Sequence, residues 1–422
     1  MKDNLIKTST LIFLSVLTGN VFSYFFQVTM GRMLGVQTFG EMNALFSVMA
    51  IFGVPFASIT NFLAKKISHY HALELSGRAN ALILKSYKNL FLAGAAMLLA
   101  GILFSGYISE CLKFDSAIPV AMLFLIGFVS IMSPVNTGIL QGLHKFGMLS
   151  FMAVGASVFR YVLCTVFVII GLQLYGVLAG TLLTALLIGY ISFIPIGRHL
   201  KKGHDASEKA GDAQSAIFPI FAANVSFAIL SQSDVIFVKY FFTPHEAGLY
   251  SSAAIIGKAV MYLPGAIVIS LFPMVASNKA REEGTLHLLL KALAATLLLS
   301  GGGAAVLYLF PGPVVSVFFG DKFAPAAHIV GFFAIAMMPL AVIIVLMNYN
   351  MAKGGRYFSY IMLAGSILQI MGVLYFHSSV TDILKVILYV GLLCMVMLFS
   401  LLAAEYYKSK MQNLGLCATS GK

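Results

Sequence analysis

The chain has 422 residues, of which 60% are hydrophobic and 10% charged, with a formal net charge of +12. Soluble domains carry about 25% charged residues, so a soluble globule is excluded and a polytopic membrane protein is implied. The positive charge is spread one loop at a time rather than gathered on one polar face, which argues against a nucleic-acid-binding surface.

Apolar runs of about 20 residues, enough to cross a bilayer as a helix, fall at 8–30, 41–64, 87–108, 117–139, 148–171, 175–196, 216–241, 248–275, 286–310, 326–348, 358–376 and 382–405. Hydrocarbon offers no partner to a bare amide or carbonyl, so each run is expected to be helical and the fold all-α, with twelve transmembrane helices. The first run follows Lys2 and Lys7, as in a secretory signal. It is too long for one and lacks a small-x-small cleavage site, so it is read as a retained span. Pro55, Pro134, Pro264 and Pro339 lie inside spans and are expected to kink or break them. The one long polar segment, Arg198 to Gln214, separates an N-terminal six-helix lobe (1–200) from a C-terminal one (215–407), with 201–214 as linker and 408–422 as a tail.

The two lobes repeat each other. Gly31-Arg32-Met33-Leu34-Gly35, then Phe39-Gly40-Glu41 and a stretch broken at Pro55, is echoed by Lys239 to Thr243, then Ala247-Gly248-Leu249-Tyr250 and a stretch broken at Pro264. The two glycines are 208 positions apart and the two prolines 209. Pro134 and the Gln141-Gly142-Leu143-His144-Lys145-Phe146 turn pair with Pro339 and the Met351-Ala352-Lys353-Gly354-Gly355-Arg356-Tyr357 turn. Duplicated bundles are the usual construction of secondary transporters, whose substrate sits where the repeats face each other.

Basic loops stay on the cytoplasmic side. With a cytoplasmic N-terminus, 20 of the 27 Lys and Arg residues fall inside, whereas Arg32, Lys113, Lys239, Lys322 and Lys385 fall outside. Both termini are therefore expected in the cytoplasm. Outer loops are short, the longest near Pro311 to Pro325, which leaves no room for an external catalytic domain. Gly257-Lys258 lacks the earlier glycine of a P-loop, and HExxH, GxSxG and GxGxxG are absent, so neither ATP nor an enzyme site is indicated. Cys111, Cys164, Cys394 and Cys417 show no CxxC spacing, and no disulfide framework, metal or cofactor site is implied.

Ionisable groups deep in a span cost about 2.5–3.5 kcal/mol on insertion scales and are functional hypotheses by default. Arg160 lies 12 residues from one end of its predicted span and 11 from the other, with small or polar helical neighbours Ala153, Ala156, Ser157 and Cys164. Two readings stand: a substrate-binding cation, or a structural guanidinium satisfied by carbonyls of a broken helix. Lys258 shares a face with Ser251, Ala254, Tyr262 and Gly265, and Asp234 lies in the preceding span. If these two pair, neither is free for substrate; otherwise Asp234 is a candidate coupling site for Na⁺ or H⁺. Asn20, Ser23, Tyr24 and Gln27 form one stripe, and Asn43, Ser47, Ala50, Ser58 and Asn61 another, as in a wet lumen or in close helix packing. A lumen lined by cations and amides, with Glu41 at its rim, favours an anionic guest.

The Gly31–Gly40 loop with its leucine-glycine and aromatic-glycine steps, its echo at Ala247–Tyr250, the Gln141–Phe146 turn and Phe319-Gly320-Asp321-Lys322-Phe323-Ala324-Pro325-Ala326-Ala327 resemble the polysaccharide-transport family. These are oligosaccharide flippases of the multidrug/oligosaccharidyl-lipid/polysaccharide exporter superfamily, and the resemblance runs over essentially the whole chain. It implies translocation of a polyprenyl-diphosphate-linked oligosaccharide from the cytoplasmic to the periplasmic leaflet of the inner membrane, for surface polysaccharide assembly. Partners implied are the lipid-linked oligosaccharide, membrane lipids, and the polymerase and glycosyltransferases of the same pathway. On this reading Arg160 holds the diphosphate or an acidic sugar at mid-membrane, Lys258 and Arg32 receive it nearer the outer face, and Asn20, Gln27 and Asn43 line the path. The rivals are a cation-coupled multidrug exporter of the same superfamily, for which lumenal carboxylates are expected in the first half, and a membrane glycosyltransferase or polymerase, for which larger outer loops are expected.

Overall fold

The computed structural model describes residues 2–73, 75–200, 217–265, 271, 275 and 285–413; the side chains of 2–10, 55, 57, 58, 61, 217, 218 and 408–413 are not described. The expectations for the linker 201–214, the part of the tail beyond Asn413, Cys417 and the side chains of Pro55, Ser58 and Asn61 therefore lie outside the described residues, whereas 408–413, expected as tail, continue the last helix. Among those described there is no strand. The helices are α1 Lys2–Leu34, α2 Val36–Ala72, α3 Ser76–Cys111, α4 Ile118–Ser130, α5 Ser133–Gly142, α6 Phe146–Ile169, α7 Gln173–Leu200, α8 Ile217–Phe241, α9 Pro244–Tyr262, α10 Leu286–Leu309, α11 Pro311–Phe319, α12 Ala327–Lys353, α13 Tyr357–Tyr375 and α14 Val380–Asn413. A short 3₁₀ turn, Asp321–Ala326, joins α11 to α12.

The chain is an all-α multi-pass membrane protein. Among the described residues, ten helical segments are long and apolar enough to cross a bilayer. Of the other two predicted runs, 41–64 lies in α2, and 248–275 lies in α9 as far as Tyr262. Outward-facing side chains are large and apolar, as with Leu103, Leu298, Ile169 and Tyr190, a surface suited to lipid and not to water. Only one residue separates α1 from α2. Gly35 makes that turn at φ 77, in the left-handed region open to a residue without Cβ.

The prolines behave differently from one another. Run 117–139 is two helices, interrupted at Ile131 and Met132, and Pro134 sits in the first turn of α5, where its missing N–H costs nothing. Thr60 donates to the Pro134 carbonyl at 2.9 Å. Below the break, Tyr87 donates to the Asn136 side-chain oxygen, and Asn136 Nδ2 donates to Ser192 Oγ at 2.6 Å. An apolar cavity of about 90 Å³ lies beside it, lined by Met49, Phe52, Met97, Phe124 and Pro134. Pro339, by contrast, lies within the unbroken α12, and α9 ends at Tyr262, two residues before Pro264. The backbone of α2 stays helical across position 55.

Two compact units are present: Met1–Ser215 with Lys239–Ser251 and Phe318–Lys322, and Ala216–Val238 with Ser252–Val317 and Phe323–Lys422. In the first, α1 packs on α6, α6 on α7, and α2 on α5. Its core includes Leu63, Ile67, Ile83, Val135, Ile139 and Ile188. In the second, α12 is flanked by α10 and α14 and is buried along most of its length through Phe333, Met337, Leu340 and Leu346. Gln369 of α13 is fully buried there and donates to Leu230 O and Ser233 Oγ, both at 3.1 Å.

Candidate functional site

Arg160 is carried on α6 where that helix packs against α1. Small residues let the pair approach: a Cβ on Gly19 would lie 2.9 Å from the Ala153 carbonyl oxygen. The guanidinium donates from Nη2 to Ser23 Oγ at 3.3 Å and stacks over the Phe26 ring, 4.7 Å from its centroid. Ser23 also meets Ser157 Oγ at 3.3 Å. A guanidinium carries five N–H donors, yet Arg160 Nε is buried without a hydrogen-bond partner among the described residues, and so is Gln27 Oε1, one turn beyond Ser23 on α1. A cation in this condition retains most of its capacity to bind an anion. The structural reading, a guanidinium saturated by carbonyls of a broken helix, does not describe this geometry, since α6 is continuous and the one hydrogen bond goes to a hydroxyl.

The other sequence-derived residues have separate surroundings. Asn20 is exposed on α1, and buried Asn43 donates back to the Phe39 carbonyl of its own helix at 2.9 Å. Arg32 is exposed and donates from Nε to the Phe318 carbonyl at 3.0 Å. In the second unit Lys258 Nζ lies 2.9 Å from Asp234 Oδ1 and also donates to Gln232 Oε1 at 3.3 Å. Asp234 is 1% exposed. Lys258 and Asp234 are therefore a buried ion pair, each answering the other's charge.

A second buried pair escaped the sequence reading. Lys239, expected on the outer side at the end of run 216–241, is fully buried, with Nζ 3.4 Å from Glu41 Oε1 and 4.9 Å from the centroid of the Phe114 ring. Lys113 donates to the carbonyls of Phe241 and Phe242 at 3.3 and 2.8 Å, capping the end of α8. The signal available was one acid and one base at predicted span ends, Glu41 and Lys239, with Lys113 in an outer loop, but spacing along the chain does not say which of these meet. Just beyond, Thr243 and Glu246 form a capping box that starts α9, with Thr243 N–H to Glu246 Oε2 at 3.0 Å and Glu246 N–H to Thr243 Oγ1 at 3.3 Å. The Thr243 amide, and then its hydroxyl, hold the Glu246 carboxyl below the usual range. No group of three or more potential metal ligands occurs among the described residues.

A family profile described as "Polysaccharide biosynthesis protein" matches residues 5–279. No curated protein matches the chain. Among solved structures, the chain is similar to an inward-facing multidrug resistance MATE family transporter of the MOP superfamily, with TM-score 0.70 and 14% identity over 94% of this chain and 96% of that one. It is similar to the lipid II flippase MurJ in an inward closed conformation, with TM-score 0.68 and 16% identity over 94% of this chain and 87% of that one. A MOP superfamily transporter from Pyrococcus furiosus, described by the reverse polarity of its binding pocket, aligns with TM-score 0.63 and 15% identity over 94% and 96% of the two chains. At these identities the likeness establishes a shared fold.

Proposed function

Because the chain belongs to the polysaccharide biosynthesis protein family, we propose that it is a flippase that carries a polyprenyl-diphosphate-linked oligosaccharide from the cytoplasmic to the periplasmic leaflet of the inner membrane. Both termini lie in the cytoplasm on this reading, by the distribution of Lys and Arg. The single observation that carries the proposal is Arg160: a deep guanidinium held by one hydroxyl and one aromatic face, with Nε unpartnered. A diphosphate supplies the bidentate acceptors that such a fork lacks. A cationic drug, the cargo expected of the rival multidrug exporter, is repelled by the same group.

The duplicated halves suit alternating access, with one six-helix lobe rocking against the other while the polyprenyl tail stays in lipid. Arg160 takes the diphosphate at mid-membrane, Gln27 and Asn20 offer amides along α1, Asn43 lines the start of α2, and Arg32 receives the head near the outer end. Lys258, paired with Asp234, is not free for cargo. Transport measured with each ion gradient and the membrane potential collapsed in turn identifies what drives the cycle. Polymerase and glycosyltransferases of the same pathway supply and remove the cargo.

The test is translocation of lipid-linked oligosaccharide by Arg160→Ala in vesicles at matched protein content. Loss of a bidentate charged contact is expected to slow transport by roughly a hundredfold. Unimpaired transport removes Arg160 from the site and leaves the reading without its support.

A further inference from the structure

At one end of the first unit, the junctions α1–α2, α3–α4 and α6–α7 enclose a polar cavity of about 190 Å³. Gln37, Thr38, Glu41, Asp115, Gln173 and Tyr175 are among the residues that line it. The Glu41 carboxylate is matched by Lys239, whose ammonium is fully buried, so this part of the wall is a neutral pair. The carboxylate of Asp115 is exposed at the rim. Two of the enclosing loops turn through left-handed residues that are not glycine, Lys113 at φ 55 and Gln173 at φ 42. L side chains rarely take that conformation, and it persists where surrounding structure enforces it.

The chemistry narrows the occupant. Drug-sized ligands need about 300 Å³ or more, so the cavity holds one ring and not a whole oligosaccharide. Amide, hydroxyl and carboxylate groups together both donate and accept, and Tyr175 and Phe114 present rings beside them. A ring edged with hydroxyls and faced with C–H groups meets both demands. The remaining negative charge, on Asp115, disfavours phosphate and acidic sugars. A metal is not favoured, because the cavity gathers only two carboxylates.

We propose that this cavity is a subsite for one uncharged hexose or N-acetylhexosamine of the cargo glycan, distinct from the diphosphate contact at Arg160. The proposal rests on the flippase reading for the source of the sugar and on the cavity alone for its chemistry.

The chain contains no tryptophan, so Tyr175→Trp creates a single emitter in the wall. The full-length variant in lipid nanodiscs is titrated with glucose, galactose, N-acetylglucosamine, glucuronate and inorganic pyrophosphate. At least one uncharged sugar is expected to shift the emission saturably with a midpoint on the order of millimolar, with glucuronate and pyrophosphate at least about tenfold weaker. Adding Asp115→Ala or Gln37→Ala, both exposed positions, weakens the response by roughly three- to tenfold. No shift with any uncharged sugar, or tightest binding of pyrophosphate, overturns the proposal. Adding Arg160→Ala must leave the sugar response intact; its loss would show that no separate subsite exists. In the transport assay Asp115→Ala slows the lipid-linked oligosaccharide but not sugar-free polyprenyl diphosphate, and equal rates for wild type and variant on both lipids overturn the assignment to cargo. Failure of the flippase reading shows instead as no protein-dependent translocation of lipid-linked oligosaccharide by the wild type, with the sugar-induced emission shift of the Tyr175→Trp variant unaffected.

Discussion

Gly40 and Gly248, matched in the sequence by the motifs around them, lie backbone against backbone: a Cβ on Gly40 would fall 2.6 Å from the Gly248 amide nitrogen. A Cβ on Gly248 would in turn overlap the Val36 carbonyl. Both belong to the first compact unit, so the start of α9 packs on the start of α2 through bare backbone. Gly248→Ala is therefore expected to destabilise by roughly 1–3 kcal/mol through overpacking. Gly106→Ala meets nothing within 4 Å and is expected to be neutral or slightly stabilising. Thermal midpoints in detergent compare the two, and equal midpoints would contradict the close approach.

Arg160 also separates charge from shape. Arg160→Lys keeps the positive charge but loses the planar fork and the stacking on Phe26, so about a tenth of wild-type transport is expected to remain. Full activity of the lysine variant would show that a point charge suffices.

For the Asp234–Lys258 pair, removal of one partner strands a buried charge. Asp234→Leu alone is expected to cost about 3–5 kcal/mol, whereas Asp234→Leu with Lys258→Met recovers most of that. A double-mutant cycle on thermal stability reads the coupling, and strict additivity of the two changes would rule out the pair.

Asn136, on α5 just past its break from α4, joins Tyr87 of α3 and Ser192 of α7. Asn136→Ala leaves buried donors and acceptors without partners, for an expected loss of about 1–3 kcal/mol. Unfolding of purified variants measures it, and an unchanged midpoint would mean that water replaces the amide.

The capping box at α9 gives a pH signature. The Glu246 carboxyl titrates below its ordinary value of 4.5, because its ionised form accepts from the Thr243 amide and hydroxyl. A lowered folded value means that the stabilisation is complete above the ordinary value and disappears as pH falls through the folded one. The midpoint difference between wild type and Glu246→Gln should thus be largest near neutrality and shrink in acid. A difference that grows on acidification would reverse the assignment.

From the sequence alone, the helical, multi-pass fold was legible because lipid acts as a solvent with one demand, that every backbone polar group be satisfied within its segment. Runs such as 148–171 and 286–310 could only become helices, and the isolated charge of Arg160 stood out within one. Which side chains meet was not legible, since pairing depends on helix rotation and crossing. Asp234 and Lys258 allowed either a free or a paired reading until neighbouring helices brought them to 2.9 Å. Lys239 falls at the outer end of a predicted run, yet it is enclosed beside Glu41. Pro134 and Pro339 remove the same N–H, yet one lies at a helix break and the other inside an unbroken helix. Only the tertiary structure decided these, because partners for a buried charge or a freed carbonyl come from segments distant in the chain.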